Sequence, residues 1–154
     1  MGEEKNMTLS TGTYLAMALM VGLLAAFYLP MNAAVGRHLD SPLTATITFY
    51  TVALISTIVA FLFVGDTSTL KNLGNVPKWL FLTGVASACV VFAITFLIPR
   101  IGARQMSLLG IAGQITMAMI VSHFGLLGTP EDPITLKKII GAGLIFFGVA
   151  TTVA

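Results

Sequence analysis

The sequence predicts an all-α integral membrane protein with five transmembrane helices. Composition is the first reason, because 56% of residues are hydrophobic and only 9% charged, too few polar groups to cover a globule with a wet surface. The second is length. A bilayer core of roughly 30 Å takes about 20 apolar residues per helix, so 154 residues hold five spans and short loops, with no room for a separate soluble domain. The third is where the charges fall. A Lys, Arg or Asp at the centre of a span costs on the order of 3 kcal/mol and is pushed to its ends, and the charged residues here separate five apolar runs.

A polar tail, residues 1–12, comes first. The segment MGEEKNMTLSTGT is acidic and lacks both a basic n-region and a small-residue cleavage site, so the first apolar run is expected to stay as a helix rather than be removed as a signal peptide. That first span runs over about 13–35 and ends at Arg37, His38 and Asp40. Ser41-Pro42 opens the second, about 42–64, with Pro42 suited to a first helical turn.

The longest polar connection, DTSTLKNLGNVPK, offers Asp66, Thr67 and Ser68 as caps and places Pro77 before the third span, about 79–98. Pro99-Arg100-Ile101-Gly102 is expected to stop that span, and the fourth follows over about 103–127. After GTPEDP the fifth span runs over about 136–153, with Lys137 and Lys138 at its mouth.

Alternating the loops across the membrane puts Lys5, Lys71, Lys78, Lys137 and Lys138 on the N-terminal face and Arg37, Arg100 and Arg104 on the other. Five against three is a small bias, and it fits two arrangements. A chain with so little preference can insert either way up and build an antiparallel homodimer, and a fixed orientation with a cytoplasmic N-terminus fits equally well.

Several function classes are excluded or left without support. A net charge of +2 with no basic run gives no nucleic-acid surface. Cys89 is the sole cysteine, lies in an apolar stretch and is expected only to pack; no internal disulfide and no cysteine metal cluster is possible. His123 has no second histidine or carboxylate at ligand spacing, so neither a metal nor any other cofactor is expected. The sequence contains no phosphate loop, nucleophile elbow or paired carboxylates, and none of the six acidic residues lies deep in a span, so enzymatic chemistry is not expected and the usual proton-coupling carboxylate is missing.

Candidate binding residues are the polar groups that lipid would penalise. Pro30 removes a backbone bond near the end of the first span, and Tyr28 and Asn32, four residues apart, share a face there. They line a cavity, or they are an interfacial tyrosine and a helix–helix hydrogen bond. Gln114 lies near the middle of the fourth span, where an unpaired amide in hydrocarbon is expensive, and Ser107 stands two turns earlier on the same face. Gly110 and Gly113 beside Gln114 equally allow close helix packing with the amide as glue.

Tyr50 stands among Thr44, Thr46, Thr48 and Thr51 on the second span, although threonines also bond their own backbone. Arg100 and Arg104 flank the turn between spans three and four, as interfacial anchors or as a funnel for anionic substrates. Gly141, Gly143 and Gly148 in the fifth span permit a close crossing, read here as a dimer interface, with packing inside one subunit the alternative.

Three stretches, YLPMNAAVGRHLDSPLTATITFY, LIPRIGARQMSLLGIAGQ and SHFGLLG with PITLKKIIGAGLIFFGV, together resemble the YdcZ-type five-helix bacterial membrane proteins of the drug/metabolite transporter superfamily. The resemblance spans nearly the whole chain and implies an exporter of the bacterial inner membrane. It also implies antiparallel pairing, since members occur singly, as pairs and as fused tandems. The last helix resembles that of small multidrug resistance exporters, where a comparable glycine pattern serves dimerisation.

Asn32, Pro99, Gly102, Gly113, Gln114, Phe124 and Gly125 match the family pattern; Tyr28 stands where the family usually has glutamine, and Ser122 where it usually has an acidic residue. The expectation is therefore an antiparallel dimer of about ten helices, formed with itself or a close homologue in the lipid bilayer. It would transport an unidentified small molecule, polar or amphipathic, at a midplane site lined by Tyr28, Asn32, Ser107 and Gln114, with Tyr50 and Arg104 nearby. A passive channel and a non-transporting membrane subunit or scaffold are the alternatives.

Overall fold

The computed structural model describes residues 11–153; most of the expected polar tail, residues 1–10, lies outside them. Five helices follow one another: α1 (Thr11–His38), α2 (Pro42–Val64), α3 (Leu82–Ile101), α4 (Ala103–His123) and α5 (Leu136–Val153). There is no strand among the described residues. Each of the five is long and apolar enough to cross a membrane, so the chain is a multi-pass helical membrane protein.

Large apolar side chains face outward where a soluble protein would bury them: Phe63 and Val64 are 85% and 89% exposed. The buried apolar positions are mostly small or β-branched, among them Ala33, Ala45, Ala112 and Val149. In lipid, apolar burial does not drive helices together, and close approach of small residues does. Cys89 is exposed on α3 rather than packed as expected.

Helix boundaries follow local chemistry. Ser41 caps α2, its hydroxyl accepting the Thr44 N–H at 3.1 Å, with Pro42 in the first turn. Helix α1 runs through Pro30 to His38, as the expected first span does, but α3 also continues past Pro99 to Ile101 instead of stopping there, because a proline gives up one backbone bond and the remaining ladder carries the helix on.

The residue that separates α3 from α4 is Gly102, at φ +83. Its N–H donates to the Ile98 carbonyl and its carbonyl accepts from Met106 N–H, so one glycine ends one helix and begins the next. Helix α4 stops at His123, short of the expected 127, because Gly125 adopts a left-handed φ of +57 and the chain turns there. Residues 67–75, expected as loop, and 78–81, most of them expected as the start of the third span, form short 3₁₀ helices. The first is capped by Asp66, whose carboxylate accepts from the Ser68 N–H at 2.8 Å and the Ser68 hydroxyl at 2.6 Å.

The described residues divide into two compact units, the first ending at Thr95 and the second beginning at Phe96. In the first, α1 packs on α2, and α3 contributes Val91 and Thr95 to the buried set. In the second, α4 packs on α5.

Candidate functional site

In the first unit the polar residues of α1 are held by α3. Asn32 is buried, and its Nδ2 donates to Thr95 Oγ1 at 2.7 Å. The Thr95 hydroxyl in turn donates to the Val91 carbonyl at 2.8 Å. A buried amide without a partner would cost a few kcal/mol, roughly 1–3, and this relay removes that cost. Close approach is possible because Gly36, one turn beyond Asn32, has no side chain: a Cβ there would lie 3.0 Å from Thr95 Cγ2 and 3.6 Å from Ala45 Cβ.

Asn32 also lines a cleft of about 400 Å³ between α1 and α2, with Tyr28, Met31, Thr48, Phe49 and Val52. The Tyr28 and Phe49 rings stack 5.7 Å apart at 16°. Phe49 meets Tyr50 edge-on at 5.2 Å, and the Tyr50 hydroxyl lies 2.5 Å from Ser87 Oγ on α3. The structure thus brings Tyr28 and Asn32 together in one apolar cleft, as their spacing predicts, and sets Tyr50 beside it with its hydroxyl committed to Ser87. The cleft is lined mainly by apolar side chains, with Asn32, Tyr28 and Thr48 the polar residues among them.

Thr46, Thr48 and Thr51 each donate to the carbonyl four residues earlier, at 2.9 Å. The α2 threonines therefore satisfy their own helix, which is the plainer of the two expectations for them.

The second unit carries the other binding candidates on α4. Arg104, at the start of α4, donates to the Thr152 carbonyl at 3.3 Å and so caps the C-terminal end of α5, where a cation is favoured by the unpaired carbonyls. Arg100 lies 3.4 Å over the Phe96 ring and donates to the Phe96 carbonyl, the posture of an anchor at a helix end. Ser107 is half-buried, and Gln114 is exposed with no hydrogen-bond partner for its amide among the described residues. A Cβ at Gly110, Gly113, Gly141, Gly143 or Gly148 would meet nothing within 4 Å, so these glycine surfaces are open.

Two clefts lie between α4 and α5. One, about 190 Å³, is lined by Ile115, Met119, Ser122, Asp132, Ile134 and Lys138; the other, about 370 Å³, by Thr116, Met119, Ile139, Gly143 and Phe146 among others. Neither includes Arg104, Ser107 or Gln114.

Five helices of the chain are long and apolar enough to cross a membrane. A family model described as "Putative inner membrane exporter, YdcZ" matches residues 13–151. The chain belongs to the YdcZ family. The match reaches into all five helices, and the multi-pass helical architecture fits the family's description as an inner-membrane exporter related to the drug/metabolite transporter type. No curated protein and no solved structure matches the chain.

Within this YdcZ-family chain, sequence reasoning missed the partners of its own candidates. Thr95 stands 63 residues from Asn32, and Ser87 stands 37 residues from Tyr50. No local period connects such residues; an unexplained threonine in the apolar third span was the one available signal.

Proposed function

We propose that this chain is an exporter subunit that works as an antiparallel dimer of two copies, with a substrate site near the membrane midplane. The observation that carries the reading is the α1–α2 cleft: an amide fixed by a buried relay, beside stacked Tyr28 and Phe49 rings, in a helix pair otherwise turned toward lipid. Such a cleft suits a small amphipathic molecule, its apolar body against the rings and its polar end on Asn32 and Thr48.

Gln114 supports the dimer. It adjoins Gly113, the middle residue of α4, and an unpaired amide at that depth in lipid is costly, so a second copy or a water-filled site between copies must meet it. Arg104, Ser107 and Gln114 of α4 are substrate-binding candidates in this reading, and the open glycines Gly141, Gly143 and Gly148 of α5 face the partner copy. The small charge bias between the two membrane faces allows both orientations to insert.

Uptake into inverted membrane vesicles from a metabolite extract, read by mass spectrometry of the vesicle contents, tests the function. Saturable uptake that Gln114→Ala abolishes while the dimer persists is the expected result. Vesicle contents identical with and without the chain would overturn it, and linear, non-saturating flux would mark a channel.

A further inference from the structure

The α4–α5 connection is clasped at its base. His123, the last residue of α4, presents Nδ1 to the Ile134 N–H at 3.1 Å, and the Ser122 carbonyl accepts the Asp132 N–H at 2.8 Å. From α5, Lys138 Nζ reaches Asp132 Oδ1 at 2.5 Å and the Pro133 carbonyl at 2.7 Å. Ser122, Asp132, Ile134 and Lys138 also line the smaller α4–α5 cleft. The clasp and one wall of the cleft are made of the same residues.

The His123–Ile134 bond has only one possible direction. A backbone N–H donates, so Nδ1 must offer a lone pair, and the proton of the neutral ring then sits on Nε2. A proton taken from water onto Nδ1 gives an imidazolium with N–H at both nitrogens and no acceptor. The hydrogen bond is replaced by two N–H groups facing each other. His38, the other histidine, behaves oppositely, because its Nδ1 faces the Ala34 carbonyl at 2.9 Å, an arrangement that protonation preserves.

We infer that His123 is a proton-binding site whose occupancy releases the connection 124–135 and opens the α4–α5 cleft. The backbone is prepared for release: Leu127 is held at φ +59 between Gly125 and Gly128, at +57 and +76, and a non-glycine residue in that region costs about 1–3 kcal/mol, sustained only while its surroundings hold it. The groups around the imidazole are accounted for. Phe124 meets its ring edge-on at 4.7 Å. The Glu131 side chain lies over Gly125, where a Cβ would come 2.7 Å from Glu131 Cγ. Asp132 is paired with Lys138, and Lys137 adjoins that pair on α5. With Asp132 committed, Glu131 is the carboxylate toward which an imidazolium can turn. The five helices carry no Asp or Glu among the described residues, which leaves His123 the titratable side chain of α4. The inference goes beyond the transport reading by naming the proton as a ligand of the α4 terminus, and its test needs no transport.

The experiment is hydrogen exchange at the Ile134 amide in nanodiscs, normalised to the unstructured rate, across about pH 5 to 8, where imidazoles in general change charge. In the wild-type chain protection falls by about fivefold to tenfold toward the acidic end, the worth of one hydrogen bond. His123→Gln, whose side-chain oxygen accepts at every pH, flattens the profile, and His38→Gln leaves it as in the wild type. Should His123→Gln fail to assemble, the wild-type profile and His38→Gln carry the test. Equal wild-type protection at both ends, or a wild-type profile in His123→Gln, would overturn the inference. Absence of flux in vesicles would count against transport and leave this result standing.

Discussion

Asn32 Nδ2 donates to Thr95 Oγ1 at 2.7 Å, joining the middle of the α1 polar stretch to a helix 63 residues away. Both residues are buried in a chain whose large apolar groups face outward, and the bond fixes the floor of the α1–α2 cleft. Thr95→Val keeps the shape and removes the acceptor, leaving the Asn32 amide unpaired at a cost of about 1–3 kcal/mol. Thr95→Ser keeps the hydroxyl and most of the stability. Unfolding titrations of the two variants check this; equal stability of Thr95→Val and wild type would show that the bond contributes nothing.

Gly36 and Gly84 form a contrast within one unit. A Cβ at Gly36 lies 3.0 Å from Thr95 Cγ2, while one at Gly84 meets nothing within 4 Å. Gly36→Ala is expected to displace Thr95 and destabilise the chain by about 1–3 kcal/mol, the usual range for overpacking, with Gly84→Ala close to neutral. Thermal melts of both in detergent decide it, and an equal effect at the two positions would refute the close-approach argument.

Asp66 lies outside the spans, and the Ser68 hydroxyl and then the Ser68 N–H hold its carboxyl below the ordinary carboxylate range. A depressed carboxyl stabilises its turn above the unfolded pKa, and that contribution is lost as pH falls through the folded value. The cap therefore opens only in acid. Ser68→Ala is expected to move the Asp66 titration upward, followed by carbon-13 chemical shift of the carboxyl; an unmoved titration would mean that the hydroxyl plays no part.

Much of the fold was legible because its signals are local. Ser41-Pro42 announces the start of α2, and Gly102 the break between α3 and α4, through backbone chemistry confined to a few residues. Pro99 misled because a proline's effect depends on whether the surrounding ladder can absorb one lost bond. Spacing joined Tyr28 to Asn32 correctly. It could not find Thr95 or Ser87, whose contacts are set by how helices cross, nor the His123–Ile134 bond, whose donor is a backbone N–H that no residue type announces.

In an antiparallel dimer with its two-fold axis in the membrane plane, a residue lies opposite its own copy only near the midplane. Gln114, beside the middle of α4, meets that condition. Gln114→Cys in a Cys89→Ala background is expected to form a disulfide-linked dimer, and a cysteine at Ala103, at the end of the same helix, is not. Cross-linking at Ala103 but not at 114 would point to parallel packing. Gly143→Leu, at a position where a Cβ would meet nothing within 4 Å, is expected to abolish the dimer while leaving the helices folded.

Orientation in the native membrane tests the central claim most directly. Single cysteines at Gly74 and at Arg100, in the Cys89→Ala background, are labelled by a membrane-impermeant thiol reagent from each side in turn. Two oppositely inserted copies predict partial labelling of each site from both sides. Labelling of each site from one side only, opposite for the two, would contradict the antiparallel homodimer.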